Sequence, residues 1–249
     1  MGKALVLNSG GVDSTTCVGL AVQKYGKENV ITASLYYWQK HYKELKCAQK
    51  IADYYGVKHI EEDISNVMKY AKDVCTLMKG GSEIEHKSYA EQIAENGEGR
   101  VATYVPFRNG LLLSIATAYA DSLFPGEEVE VYYGAHADDA AGEAYADCSP
   151  EFAKAMDEAI SIGTYGKIHI NRPLINMNKA GVVKTGLEIG VPYELTWSCY
   201  EGGEKACGTC GTCIDRINAF KLNGVEDPIE YMDNNCLLYT SDAADDLTR

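Results

Sequence analysis

The chain has 249 residues, 46% of them hydrophobic and 24% charged, a globular composition that gives no case for disorder. Its formal net charge of −13 repels a phosphate backbone and argues against a generic nucleic-acid binder, while leaving room for a local basic pocket for a nucleotide. The longest apolar runs, such as 111–120, are too short to span a bilayer, and nine cysteines, an odd number, speak against a disulfide framework.

In chain order, 3–9 reads as a buried strand with no cleavable hydrophobic segment before it, so a cytoplasmic location is expected. A helix over 14–25 follows, with Gly26 as its C-cap, then a β-branched and aromatic strand over 30–37. The pattern continues with a helix over 42–55 closed by Gly56 and a strand over 58–63. The polar segment 79–103 reads as a lid loop or a solvated insertion. Beyond it come a helix over 108–123, a strand over 129–134, a helix over 150–162 and a strand over 169–173. Asn178 should cap a helix running to 189, and a last helix should span 211–222. This alternation predicts an α/β fold, a Rossmann-like doubly wound parallel sheet with a small C-terminal metal-binding segment. One domain is expected over 1–235, with the metal segment at 197–215. Residues 236–249 carry no strand or helix pattern and read as a non-native or flexible tail.

Ser9-Gly10-Gly11-Val12-Asp13-Ser14 lies between the first strand and the first helix. Glycines let backbone N–H groups approach an anion, and the helix N-terminus adds unpaired donors. Asp13 does not suit plain anion binding; it either holds the loop or contacts a phosphate-bound Mg²⁺. A glycine turn with serine and aspartate caps is the plainer alternative. The run resembles the PP-loop of ATP pyrophosphatases, which cleave ATP between the α and β phosphates, and it lacks the Gly-Lys-Ser/Thr end of a Walker A loop.

Cys199, Cys207, Cys210 and Cys213 are spaced to turn four thiolates toward one point, as in a closed tetrahedral zinc site. Such a shell leaves no open position for water, so the expected zinc is structural. An iron–sulfur cluster is the chief competitor, and a redox pair would leave two cysteines unexplained. Cys17, Cys47, Cys75, Cys148 and Cys236 read as small core residues.

Taken together, the chain resembles the 7-cyano-7-deazaguanine synthase family over most of 3–223. The resemblance rests on the PP-loop region from Asn8 to Val18, on Tyr36-Tyr37-Trp38-Gln39-Lys40-His41 and on the segment from Val105 to Asn109. It continues through Tyr145-Ala146-Asp147-Cys148 and the run from Thr196 to Cys213. The chain departs from the family pattern at Ala146, at Ser149 and in two extra residues, Glu143 and Ala144.

The resemblance implies an adenine nucleotide alpha hydrolase-like sheet and an ATP-dependent ligase of queuosine-type biosynthesis. In that reaction 7-carboxy-7-deazaguanine is adenylated, ammonia displaces AMP to give an amide, and a second ATP drives conversion to the nitrile. ATP, Mg²⁺ and one structural Zn²⁺ are the implied cofactors, with no direct nucleic-acid or membrane partner. A homodimer is the expected assembly. Asp13, Arg108 and Lys40 would be catalytic, and Asn8, Ser9, Gly10, Gly11, Val12, Asp13, Ser14, Thr15, Thr16, Cys17 and Val18 would bind the nucleotide. Gln39, His41, Phe107, Asp139, Tyr145 and Asp147 would bind the substrate, with Tyr145 stacking on the ring and Asp147 reading its N–H edge. Asp138 and Asp139 would help bind Mg²⁺ or the ring and Lys179 would contact phosphate; the plainer readings are Arg108 as a helix start, Asp138 and Asp139 as caps, and Lys179 as a solvated first-turn residue. A tRNA-thiolating adenylase, a nucleotide-binding protein without turnover and a deazaguanine-transferring relative stay open as alternatives.

Overall fold

In the computed structural model, residues 2–40, 42–81, 83–87, 91, 101–138 and 145–232 are described (for 72 the backbone alone). Five parallel strands form one sheet in the order β3-β2-β1-β4-β5. They are β1 Lys3–Leu7, β2 Val30–Tyr36, β3 Lys58–Asp63, β4 Val129–Tyr132 and β5 Ile168–Asn171. The helices are α1 Val12–Tyr25, α2 Lys43–Tyr55, the short α3 Ser65–Met68, α4 Arg108–Leu123, α5 Pro150–Gly163, α6 Lys179–Glu188 and α7 Gly211–Leu222.

Strand β1 lies at the centre, with Ala4, Leu5 and Val6 fully buried, which is why it needs an unbroken apolar run. Ala4 and Val6 face one core, shared with Val18 on α1, Ile51 on α2, Val182 on α6 and Phe220 on α7. Leu5 faces the other, shared with Leu113 on α4 and Ile160 on α5. Helices therefore cover both faces, as the alternating pattern predicts. Strand order reverses between β1 and β4, so the loops after their carboxyl ends diverge and leave a crevice.

The differences from the expected elements have local causes. Strand β1 stops at Leu7 and β4 at Tyr132, because both chains leave the ladder to enclose the crevice. Helix α1 starts at Val12, so the phosphate loop is shorter than expected. The Asn178 cap of α6 is present, its Oδ1 accepting from the Gly181 amide at 2.8 Å. Most of the expected 79–103 insertion and the whole of 236–249 lie outside the described residues. No helix among the described residues is long and apolar enough to cross a membrane.

Behind the crevice, α7 carries Arg216, which is 0% exposed. It is bidentate to Asp227 at 2.6 and 2.9 Å. It also donates to the Thr196 hydroxyl at 2.8 Å and the Tyr193 carbonyl at 3.2 Å. This one side chain fastens the segment before Trp197 to α7 and to the 227–231 strap. Removing one partner strands a buried charge, so Asp227→Ala is expected to cost about 3–5 kcal/mol, measured by denaturant unfolding. A change below about 1 kcal/mol would remove this ion pair from the fold's determinants.

Candidate functional site

A cavity of about 630 Å³ opens at the crevice between the carboxyl ends of β1 and β4. Its floor is the loop from Asn8 to Ser14. Gly10 has φ +83°, and a Cβ there would run into the carbonyl oxygen of Glu44 on α2. Only glycine allows that turn and that approach together. The Ser9 and Ser14 hydroxyls are 3.1 Å apart, and the Ser9 amide donates to Ser14 Oγ at 3.2 Å. Asn8 Oδ1 accepts the Gly10 amide at 3.0 Å and fixes the turn from behind. No side chain caps the first turn of α1, so its helix end faces the cavity floor uncapped. From β4, Gly134 passes over the loop so closely that a Cβ would sit 3.0 Å from Asp13.

Asp13 anchors the cation side of the site. Lys179 Nζ, on the first residue of α6, lies 2.8 and 2.6 Å from its two carboxylate oxygens. His136 Nε2 is 3.8 Å from Oδ1. Burial favours the protonated acid, but Lys179 and His136 together outweigh it and hold Asp13 below the usual carboxylate range. The loop thus presents an ionised carboxylate beside its donors.

Opposite the loop, Arg108 at the start of α4 donates to the Tyr37 hydroxyl at 3.4 Å, its guanidinium carbon 5.9 Å from that ring. Tyr37, Gln39, Arg108 and Tyr145 all line the cavity. Gln39 Oε1 accepts from the Tyr37 amide at 2.8 Å, which sets the wall, and the Tyr145 hydroxyl is 2.5 Å from that of Thr103. Glu44, in the first turn of α2, is half-buried on the same wall. Burial pushes its carboxyl up to about 8, although the Arg108 guanidinium works in the other direction.

The third wall comes from the cysteine segment. The Trp197 amide donates to the Gly10 carbonyl at 2.9 Å, and Trp197, Ser198 and Tyr200 face the cavity. Just beyond, the sulfurs of Cys199, Cys207, Cys210 and Cys213 lie within 4.8 Å of one another, a cluster that could hold a metal ion. Cys207 and Cys213 Sγ are 3.9 Å apart, against an edge of about 3.8 Å for a tetrahedron with metal–sulfur bonds of about 2.3 Å. Backbone amides of Glu201 and Cys207 point at Cys199 Sγ at 3.4 and 3.3 Å, and that of Cys210 at Cys207 Sγ at 3.3 Å. Such donors favour thiolates and orient them. Lys43 Nζ stands 3.2 Å from the Trp197 ring centroid and binds the carbonyls of Gly203 and Glu204 at 2.9 and 2.6 Å. The cysteine knot is thereby tied to α2 and to the phosphate loop.

Comparison with known sequences places this architecture. Residues 3–224 match the family described as queuosine biosynthesis protein QueC. The chain belongs to the QueC family. Within it, the chain is 40% identical over 231 residues to a 7-cyano-7-deazaguanine synthase of Psychromonas ingrahamii, covering 93% of this chain and 98% of that one. A synthase of the same name from Archaeoglobus fulgidus is 40% identical over 91% of this chain and 89% of its own. Another, from Caldicellulosiruptor saccharolyticus, is 42% identical over 92% and 95%.

For this QueC-family chain, the expected site residues divide by position. Asn8, Ser9, Gly11, Asp13, Ser14, Gln39, Arg108 and Tyr145 line the cavity. Thr15, Thr16, Cys17 and Val18 are 0% exposed and point into the core behind the loop, and Val12 is buried with them. Phe107 is 57% exposed and packs edge-on against Phe152 at 5.9 Å, away from the cavity. Lys40 is not among the lining residues; its backbone amide bonds to the Leu77 carbonyl at 2.8 Å. Asp147 is 4% exposed, and its Oδ2 accepts from the Asn109 amide at 2.8 Å, capping α4 from behind the wall. Asp138 likewise caps α6, accepting from the Lys179 amide at 2.7 Å. His41 and Asp139 lie outside the described residues. Sequence reading weighed Lys179 as a phosphate contact against a solvated first-turn lysine, favouring the latter, and passed over Glu44 and Arg216. Nothing local distinguishes these from surface charges: the partners of Lys179 and Arg216 are distant in sequence, and only the fold brings Glu44 to the cavity wall.

Proposed function

We propose that this QueC-family chain makes 7-cyano-7-deazaguanine from 7-carboxy-7-deazaguanine, ammonia and two ATP. The observation that supports this best is the position of the Ser9–Ser14 floor across the cavity from Arg108. ATP laid on that floor by its β and γ phosphates would present the α-phosphorus toward the Arg108 wall. The substrate carboxylate attacks there, pyrophosphate leaves, and the bound acyl group gains AMP as a good leaving group. Catalysis then consists mainly of positioning and charge stabilisation.

Each side chain has a distinct task in this reading. Ser9, Ser14 and the first-turn amides of α1 hold the departing pyrophosphate. Asp13, with about four lone-pair sites on its carboxylate, accepts Lys179 and still has capacity for the Mg²⁺ that accompanies ATP. Arg108 neutralises the α-phosphate or the substrate carboxylate through its planar fork. Gln39 and Tyr145 contact the deazapurine, with Asp147 holding α4 so that Arg108 points inward. The four cysteines hold a structural zinc that supplies rigidity to the Trp197–Tyr200 wall, and no step passes through it. The site serves small molecules, in keeping with the strongly acidic surface.

Mass spectrometry of the products from the carboxylate, ATP and ammonium tests the reaction. The nitrile is expected, with AMP and pyrophosphate. ADP and orthophosphate, or AMP release driven by tRNA in place of the carboxylate, would refute it.

A further inference from the structure

We propose that Glu44 is the proton acceptor for the ammonia-derived nitrogen, a role separate from adenylation. The inference deepens the ligase reading and rests on it. Its basis is placement. Glu44 sits in the first turn of α2 and its backbone carbonyl packs against Gly10, so the phosphate loop and this side chain are one rigid unit. Its carboxylate is close enough to act electrostatically on both Arg108 and Tyr37, which face the cavity. Among the described residues, no hydrogen bond or ion pair engages it.

The chemistry requires such a group. Near neutral pH the nitrogen source is ammonium, and every N–H bond must be broken before the nitrile forms. First, ammonium gives a proton to the ionised form of the Glu44 carboxyl, the minor form near neutrality because burial raises the group to about 8, and this leaves ammonia with a lone pair. That pair forms the C–N bond, and the C–O bond to AMP breaks with its electrons going to the phosphate oxygen. The tetrahedral nitrogen then loses a second proton. After the amide oxygen is adenylated by the second ATP, the last two N–H pairs become C–N π bonds as AMP leaves. One acceptor must therefore be filled and emptied repeatedly, which demands access to water. Glu44 is half-buried beside an open cavity and meets that demand. Three other carboxylates in or beside the cavity are committed, Asp13 to Lys179 and Asp138 and Asp147 to helix amides, and Asp215, which also lines the cavity, has a partner of its own.

The test uses Glu44→Gln and Glu44→Asp in the full chain, with the partial reactions measured separately. Carboxylate-dependent exchange of labelled pyrophosphate into ATP reads adenylation alone. It is expected to stay near the parent rate in both variants. Amide and nitrile formation from ammonium should fall about 10²-fold or more in E44Q and be partly restored in E44D. Hydroxylamine, uncharged near neutral pH, needs one proton fewer removed before it attacks, so its conversion to hydroxamate should suffer less. Nitrile formation near the parent rate in E44Q would overturn the proposal. Loss of exchange in both variants would assign Glu44 to ATP or carboxylate binding and overturn it equally. A parent protein without carboxylate-dependent exchange would sink the ligase reading itself, and this inference with it.

Discussion

Asp13→Ala is expected to lower turnover by about 10³-fold while leaving ATP affinity and metal content close to those of the parent. The reason is the pairing with Lys179 at 2.6 and 2.8 Å. Without the carboxylate, the ammonium loses its counter-ion beside the phosphate loop and is free to settle on the phosphates. Ground-state binding of ATP then survives, whereas the oxygen proposed to hold Mg²⁺ for the departing pyrophosphate is gone. Asp13→Asn separates shape from charge and should resemble alanine in turnover. The pH dependence has a definite sign. Asp13 is held below its ordinary value of 3.8, so its contribution to stability is complete above that value and is lost only as pH falls through the lower native one. A turnover limb near neutrality therefore belongs to another group. Isothermal titration with ATP beside steady-state pyrophosphate release decides the matter. Full turnover in D13A would show that the Ser9–Ser14 floor does not work as a pyrophosphate site.

What the sequence made legible follows from range. The five strands and the longer helices are each defined by their own residues, and the four-cysteine spacing and the glycine loop are contiguous signals. The four residues of α3, Ser65–Met68, are too few to show a period. Tertiary pairings carry no such mark: Lys179 meets Asp13 across 166 positions. Arg216, a charged residue in an α-helical pattern, reads as a surface group until Thr196, Tyr193 and Asp227 are placed around it. Carboxylates carry the opposite ambiguity. Asp138 follows a strand end and Asp147 lies in a family motif, both promising positions for chemistry. Each spends an oxygen on a helix amide, because α6 and α4 begin at the cavity wall and have donors to satisfy. Glu44 has no cap to make and so keeps its carboxylate available.

Cys210→Ser should remove the metal and unfold the segment it holds. Cys210 is 0% exposed and stands at the N-cap of α7, where its amide bonds to Cys207 Sγ at 3.3 Å. A serine hydroxyl is a poor zinc ligand, and three thiolates crowded within 4.8 Å repel one another once the ion is lost. Structural zinc binds peptides of this kind with about 10–16 kcal/mol, comparable to the 5–15 kcal/mol stability of a whole domain, so little folded segment is expected to survive. The damage reaches the nucleotide site through one bond, from the Trp197 amide to the Gly10 carbonyl at 2.9 Å. C210S should therefore lose metal, melting temperature and ATP affinity together, in contrast to D13A, which keeps metal and ATP affinity. A chelator applied to the parent should reproduce the C210S losses, and added zinc should reverse them. Metal analysis of the purified protein distinguishes zinc from iron. An unchanged melting temperature with full metal content in C210S would show that the knot is held by packing around Trp197, Ile217 and Tyr231 rather than by an ion.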